Sequence, residues 1–172
     1  MIAFLTLIIL GGLAQETPPP CDDECKAVLT AALQWTIETT ITAYSVDPAR
    51  IRVDVSSIQG DQDRTEERNE LGEIARDMSL VVEDRSRNPA FVACIEDRRS
   101  RACRDAPRLA WIGVHSLRFT GPGEATAYSV IRVLDAGGGE FNWASLQQSE
   151  LFLEMRADGT WEVVGVGIIV VS

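Results

Sequence analysis

From Leu109 onward the chain is written almost entirely in long alternating runs: Trp111 to Phe119, Ala125 to Leu134, Ser145 to Met155 and Trp161 to Val171. Alternation with period two is the pattern of strands that bury one face, so the runs predict four consecutive strands. Gly121-Pro122-Gly123 and Gly137-Gly138-Gly139 break the first three apart, and Asp158-Gly159 is the sharpest hairpin signal, because a primed turn needs positive φ. Connections this short predict an antiparallel meander. Gly165 and Gly167, two apart in the last run, mark either a bend in a curved sheet or room for a group packed against one face.

Upstream the period changes. Leu29, Leu33, Ile37 and Ile41 recur at four-residue steps with Tyr44 three further on, and Lys26, Thr30, Gln34, Glu38 and Thr42 form a polar stripe opposite. Asp22-Asp23-Glu24 puts negative charge at the helix start, where the dipole favours it, and Asp47-Pro48 stops the helix, because a residue before proline avoids the α region. Ile51, Val53 and Val55 alternate with polar residues as a strand. Leu71, Ile74, Ala75 and Met78 predict a second helix, capped by Asp63 or Thr65 and fading near Glu83. Residues 84–108 are dense in charge and predict a short helix or an ordered loop. The expected fold class is therefore α+β: N-terminal helices packed on a curved antiparallel sheet that ends in a four-strand meander.

The first residues carry a different message. Met1 to Leu10 is uncharged and apolar and softens into Gly11-Gly12-Leu13-Ala14 before polar residues begin, the order of a secretory signal peptide cut after Ala14. The run is too short to cross a bilayer, which takes roughly 20 apolar residues. The expected organisation is a signal peptide over 1–14, a Pro-rich spacer over 15–21 and one α+β domain over 22–172, exported to the periplasm or the exterior of a bacterium, with no stable membrane insertion after cleavage. Lys26 is the only lysine among sixteen basic residues, a bias expected of a GC-rich bacterial genome. A net charge of −10 makes nucleic acid and anionic membrane surfaces poor partners.

Cys21, Cys25, Cys94 and Cys103 are even in number, and in an exported chain they predict disulfides. The spacing favours two local bridges, although Cys21 and Cys25 could also reach the other pair. A zinc site wants thiolates in closer pairs than Cys94 and Cys103 offer, so no metal and no cofactor is expected. Asp61, Asp63 and Thr65 open like a calcium loop, but Glu66 stands where glycine is needed and Gly72 where the bidentate glutamate belongs, so they read as turn formers and helix caps.

His115, the single histidine, shares a strand face by alternation with Trp111, Leu117 and Phe119. It is a core residue or the acid-base group of a pocket, with Tyr128 as its nearest candidate partner. No nucleophile elbow, metalloprotease helix, P-loop or dinucleotide fingerprint accompanies it. Arg98-Arg99-Ser100-Arg101, continued by Arg104 and Arg108, is the one basic cluster. It would hold an anion through forked hydrogen bonds, or form an ion-paired surface loop with Glu96, Asp97 and Asp105. Trp143, beside Phe141 and Asn142, stands as an aromatic loop tip.

The order of elements, a long helix, a strand, a second helix and four long strands with Trp161-Glu162-Val163 after the Asp158-Gly159 turn, resembles the cone-shaped α+β fold of the nuclear-transport-factor-2-like superfamily. The resemblance implies a curved sheet and helices around an apolar pocket, catalytic in some members and used only for binding in others. No catalytic motif of the enzyme members maps onto this chain, and fold alone does not establish activity. The expected function is a non-catalytic exported module that binds a small apolar ligand or an envelope protein. The alternative is a pocket enzyme of isomerase or hydratase type in which His115 and Tyr128 transfer protons, with Trp111, His115 and Tyr128 lining the ligand site.

Overall fold

The computed structural model describes residues 21–55, 65–97, 100–135 and 142–171. The expected signal peptide, the spacer before Cys21, Asp61, Asp63, Arg98, Arg99 and the three-glycine run lie outside the described residues.

Helix α1 (Asp23–Tyr44) begins where its charge pattern places it: the Asp22 side chain caps it by accepting from Cys25 N at 2.9 Å. It ends before Asp47-Pro48, at Ser45, which takes a left-handed conformation with φ 51°. A 3-10 turn at Pro48–Arg50 leads into β1 (Ile51–Asp54), followed by α2 (Thr65–Asp77), β2 (Val81–Glu83), α3 (Pro89–Glu96) and α4 (Arg101–Arg104). The four long strands are β3 (Leu109–Gly121), β4 (Glu124–Asp135), β5 (Asn142–Met155) and β6 (Trp161–Val171). All six strands form one sheet in the order β2-β1-β3-β4-β5-β6.

The fold is α+β, and β3 to β6 form the antiparallel meander. The other margin differs from the expected all-antiparallel sheet: β1 pairs in parallel with both β2 and β3, so the sheet is mixed. The cause is β2, which occupies residues read from the sequence as the tail of the second helix. Helix α2 stops at Asp77 because Ser79, at φ 59°, closes a Schellman motif: Leu80 N donates to Ala75 O at 2.8 Å and Ser79 N to Arg76 O at 2.9 Å. Serine rather than glycine holds the left-handed position, so the usual composition signal is missing. The last hairpin differs too. Asp158-Gly159 belongs to a three-residue loop, Ala157 to Gly159, in which Gly159 alone has positive φ (84°), with Gly159 N on Arg156 O and Arg156 N on Thr160 O. This is the type I turn with a left-handed closing residue, not the primed two-residue turn.

One face of the sheet, called inner here, carries α1. Leu29 and Leu33 of the helix pack with Ile112, Ile131, Leu151 and Leu153 of the strands, all six essentially without solvent exposure. The helix does not present the stripe its apolar spacing predicts. Thr36 and Thr40 are buried, while Ile37 and Ile41 are only partly covered. Thr36 donates its hydroxyl proton to Ala32 O at 2.7 Å and lies 2.9 Å from Ser129 Oγ. A hydroxyl has one proton to give, so Ser129 donates to Thr36. Thr40 donates to Thr36 O, and Tyr44 Oη donates to Gln147 Oε1 at 2.6 Å, while Gln147 Nε2 donates to Ser149 Oγ at 2.9 Å. A hydroxyl and amide seam thus joins the second half of α1 to β4 and β5.

The opposite, outer face is covered at one end by α3 and α4. Phe91, Cys94 and Cys103 bury Leu109, Trp111 and Leu134 there as a second small core. Two disulfides are present, Cys21–Cys25 beside the start of α1 and Cys94–Cys103 joining α3 to α4. Both are the local pairings. Asn88 caps α3 by accepting from Ala90 N and Phe91 N.

The buried Thr36–Ser129 pair is expected to be coupled. Thr36→Val should cost about 1–2 kcal/mol by leaving Ser129 without an acceptor, and adding Ser129→Ala should cost less than the sum of the single variants. Urea denaturation of the four forms checks this; strict additivity would show the two hydroxyls to be independent.

Candidate functional site

The residues singled out in the sequence fall on the outer face. Trp111, His115 and Tyr128 do share that face, but they do different things. Trp111 is in the second core: its ring meets Phe91 edge-on at 5.4 Å and its Nε1 donates to Glu83 Oε2 at 3.0 Å. His115 and Tyr128 are direct cross-strand partners, ring-stacked at 5.8 Å and half-buried. Tyr128 in turn is opposite Glu150 on β5, and its hydroxyl donates to Glu150 Oε1 at 3.4 Å.

A bulge fixes the histidine. His115 pairs with Tyr128 and Arg118 with Thr126, so Ser116 and Leu117 together face one residue of β4. Ser116 adopts φ 59°, a conformation that costs a non-glycine residue roughly 1–2 kcal/mol, and its Oγ lies 2.8 Å from His115 Nδ1. In the row His115, Tyr128, Glu150 only the last two are hydrogen-bonded, the stacked rings of His115 and Tyr128 giving no proton path between them, and the row lies on the face away from α1. Beneath α1 the side chains of the helix and of β3 to β5 pack on one another as the core described above. Glu150 was missed in the sequence because its pairing with Tyr128 depends on the β4–β5 register, which the three-glycine turn does not reveal.

Gly165 and Gly167 are accounted for on this same face. A Cβ at Gly165 would meet Phe152 Cδ2 at 3.4 Å, and one at Gly167 would meet Phe152 Cε2 at 3.7 Å. The ring of Phe152 lies across both glycines. They clear room for a neighbour's side chain within the sheet.

A second polar group sits beside the small core. Asp54, 2 % exposed, faces Arg85, with Arg85 Nε 3.4 Å from its Oδ2. The Arg85 guanidinium also lies 4.6 Å above the Phe91 ring, a cation–π contact. Arg132, the cross-strand partner of Trp111, completes the group. Burial first, then the nearby Arg85 charge, lowers the pKa of Arg132, and Asp54 partly opposes the shift. Asp54 therefore pairs directly with Arg85 and acts on Arg132 through its charge alone.

The basic cluster of the sequence divides. Arg101 pairs with Asp105 at 3.1 Å on an exposed surface, as the ion-paired reading expects. Trp143 is not at a loop tip by its backbone: it lies within β5, opposite Leu134. No group of three or more His, Cys, Asp or Glu among the described residues is placed to hold a metal, and no described helix is long and apolar enough to cross a membrane.

The least expected surface is the β6 margin. The inward positions of β6, read from its pairing with β5, are Trp161, Val163, Val166 and Ile168. Trp161 is buried, Val163 is half-covered, Val166 is 42 % exposed and Ile168 66 % exposed. Val164, Ile169 and Val170 are exposed as well. No described strand pairs with the far side of β6, so its backbone donors and acceptors there meet no sheet neighbour. Beside it, between helix and strand, lies a cleft of about 210 Å³ lined by Ala31, Gln34, Trp35 and Glu38 of α1 and Trp161 to Val163 of β6. Alternation in the sequence identified the strand. It gave no sign that α1 would leave the strand's second half uncovered, and Trp35 lies in neither helical stripe.

Compared with known proteins, the chain matches no family model, no curated protein and no solved structure. Its class is set by its own architecture, an α+β protein whose mixed sheet carries one long helix on one face and a disulfide-linked helix pair on the end of the other.

Removing the shared charge should expose the strain in the outer cluster. Asp54→Asn is expected to lower unfolding stability by about 3 kcal/mol, because Arg85 loses its buried counter-charge and the repulsion between Arg85 and Arg132 is no longer offset. Arg132→Met in that background should restore part of the loss. Denaturant midpoints check this; a change below about 0.5 kcal/mol would mean solvent already neutralises the group.

Proposed function

We propose that this chain is an exported, non-catalytic binding module that holds a protein partner of the cell envelope along the β6 margin. The observation that carries the reading is the run Val163 to Val170, apolar apart from its glycines, exposed at Val164, Val166, Ile168, Ile169 and Val170, and set on a sheet edge with which no described strand pairs. Contiguous exposed apolar surface marks interaction sites. An open edge supplies main-chain hydrogen bonds to an added strand, while side-chain pockets beside it supply specificity.

Export is supported by the N-terminal apolar run and by two disulfides, which persist in oxidising compartments. Membership of the cone-shaped α+β superfamily is supported by the order of elements, a long helix across a four-strand meander. Preference for a protein over a small apolar ligand follows from the length of the exposed run, which an extended chain covers and a small ligand does not. The row His115, Tyr128, Glu150 favours the second reading, proton transfer on a ligand lying against the outer face, because a left-handed Ser116 in a bulge is the kind of local strain that collects at functional sites.

A photo-activatable residue placed at Ile168 and, separately, at exposed Thr42 tests the proposal in the producing cell. A protein adduct is expected from Ile168 at about ten times the Thr42 level or more, and His115→Ala should leave it unchanged. Equal yields at the two positions overturn the β6 site. Loss of the adduct in His115→Ala moves the site to the His115 row.

A further inference from the structure

Donors outnumber acceptors in the polar group beside the small core. Arg85 Nε and Nη1 and Arg132 Nε are buried and meet no hydrogen-bond acceptor among the described residues. An arginine cannot shed its proton, so each donor withdrawn from water costs free energy until an acceptor reaches it. The carboxylates nearby do not supply one. Asp54 pairs with Arg85 and reaches Arg132 through its charge alone, and it offsets only part of the repulsion that Arg85 exerts there. Glu83 has both oxygens engaged, Oε1 by Asn88 Nδ2 and Oε2 by Trp111 Nε1. Packing holds the arginines instead: the Arg85 guanidinium lies 4.6 Å from the Phe91 ring centroid, and Arg132 has Trp111 of β3 and Leu146 of β5 as its cross-strand neighbours. Neither is sealed from solvent, since the Arg85 side chain is 16 % exposed and Arg132 is partly exposed.

From this we infer that the outer face carries a carboxylate-binding site, in which the guanidinium fork of Arg132, with Arg85 beside it, takes the oxygens of a singly charged carboxylate. The site uses no residue of β6 and stands apart from the docking edge. Arginines with a purely structural task in this chain are paired even where water would serve them: Arg101 with Asp105 and Arg156 with Glu162, all at exposed positions. Arg132 is more deeply placed and has a second cation as its neighbour, the arrangement that an incoming anion relieves. A carboxylate is planar and meets a guanidinium through parallel hydrogen bonds. A dianion such as phosphate fits less well, because Asp54 and Glu83 already place negative charge beside the arginines, and repulsion is strong where water is scarce. The carboxylate belongs to a small organic acid or to the end of a polypeptide, and the two share the same contact with Arg132.

The test titrates the isotope-labelled protein with sodium butyrate, and separately with sodium chloride and sodium phosphate at matched ionic strength, and follows the arginine Nε–H resonances by NMR. Butyrate is expected to shift the Arg132 and Arg85 signals saturably, chloride to leave them in place, and phosphate to bind more weakly than butyrate. Arg132→Lys, which keeps the charge and removes the fork, should weaken butyrate about ten-fold, the size of one charge-assisted hydrogen bond. Arg101→Gln, in the exposed pair with Asp105, should leave binding unchanged. Should Arg132→Lys not fold, the shifts in the unsubstituted protein still decide. A tripeptide with a free C-terminus and its amide separate the sources: the free acid binding about ten-fold tighter than butyrate, with the amide inert, assigns a polypeptide end, and equal or weaker binding of the free acid assigns a small organic acid. The absence of a saturable shift with both butyrate and the tripeptide overturns the site. So does an equal shift with chloride, or tighter binding of phosphate than of butyrate.

Discussion

The packing of α1 across the inner face of the meander is the interaction on which the rest depends. Leu29 and Leu33 reach strands β3 to β5 through Ile112, Ile131, Leu151 and Leu153, and full burial of each such side chain stabilises by about 2 kcal/mol. No other described helix spans so many strands. The polar seam along the helix's second half then selects one placement. Apolar contacts alone tolerate a slide or a small rotation, but buried Thr36 and Ser129 lose their hydrogen bond if either occurs. That rotation is what leaves Ile37 and Ile41 half-covered, and it leaves the latter half of β6 beyond the helix.

The outer face is organised by a different balance. There the meander has no long helix, and α3 and α4 are too short to be stable by themselves. The Cys94–Cys103 bridge ties them together, and its sulfurs are buried against Trp111 and Leu134. Closing a loop of this length stabilises by roughly 2–3 kcal/mol on the chain-entropy account. The short parallel strands β1 and β2 bring Asp54 and Glu83 to the same end. Glu83 accepts from Trp111 Nε1 and from Asn88 Nδ2, so one carboxylate fastens the small core's tryptophan to the cap of α3.

What was legible in the sequence follows from these forces. The four long strands were legible because alternation is a local pattern imposed by a one-sided core, and the α1 start because Asp22 caps through its nearest neighbours. The parallel pairing of β1 and β2 was not: Val81 to Glu83 is only three residues long, too short for a period, and the helix before it ends on a serine in a glycine's conformation. The candidate site was legible only in part. His115 and Trp111 on one face followed from period two, but the bulge at Ser116 carries Leu117 and Phe119 to the other face against the simple alternation, and Tyr128 and Glu150 beside His115 needed the register across two turns. Asp54 with Arg85 and Arg132 joins residues far apart in the chain, and each alone reads as an ordinary strand or loop charge.

The β6 margin poses a physical problem that its geometry partly answers. A long apolar edge invites indefinite pairing, and proteins usually shorten, charge or twist such edges. The other edge, β2, is simply short. On β6, register shifts leave Val164 and Ile169 as extra residues, so regular pairing is cut into short pieces, Trp161 to Val163, Gly165 to Ile168 and Val170 to Val171, by two bulges. Bulges bend a strand and increase its twist, which limits how long a partner strand can follow it. Phe152, folded over Gly165 and Gly167, occupies the outer side of the middle piece. The accessible side is then the inner one, where Val166 and Ile168 continue the wall of the Trp35 cleft. The edge is thus broken into short ladders and turned by its bulges, a geometry that resists the indefinite stacking of strands.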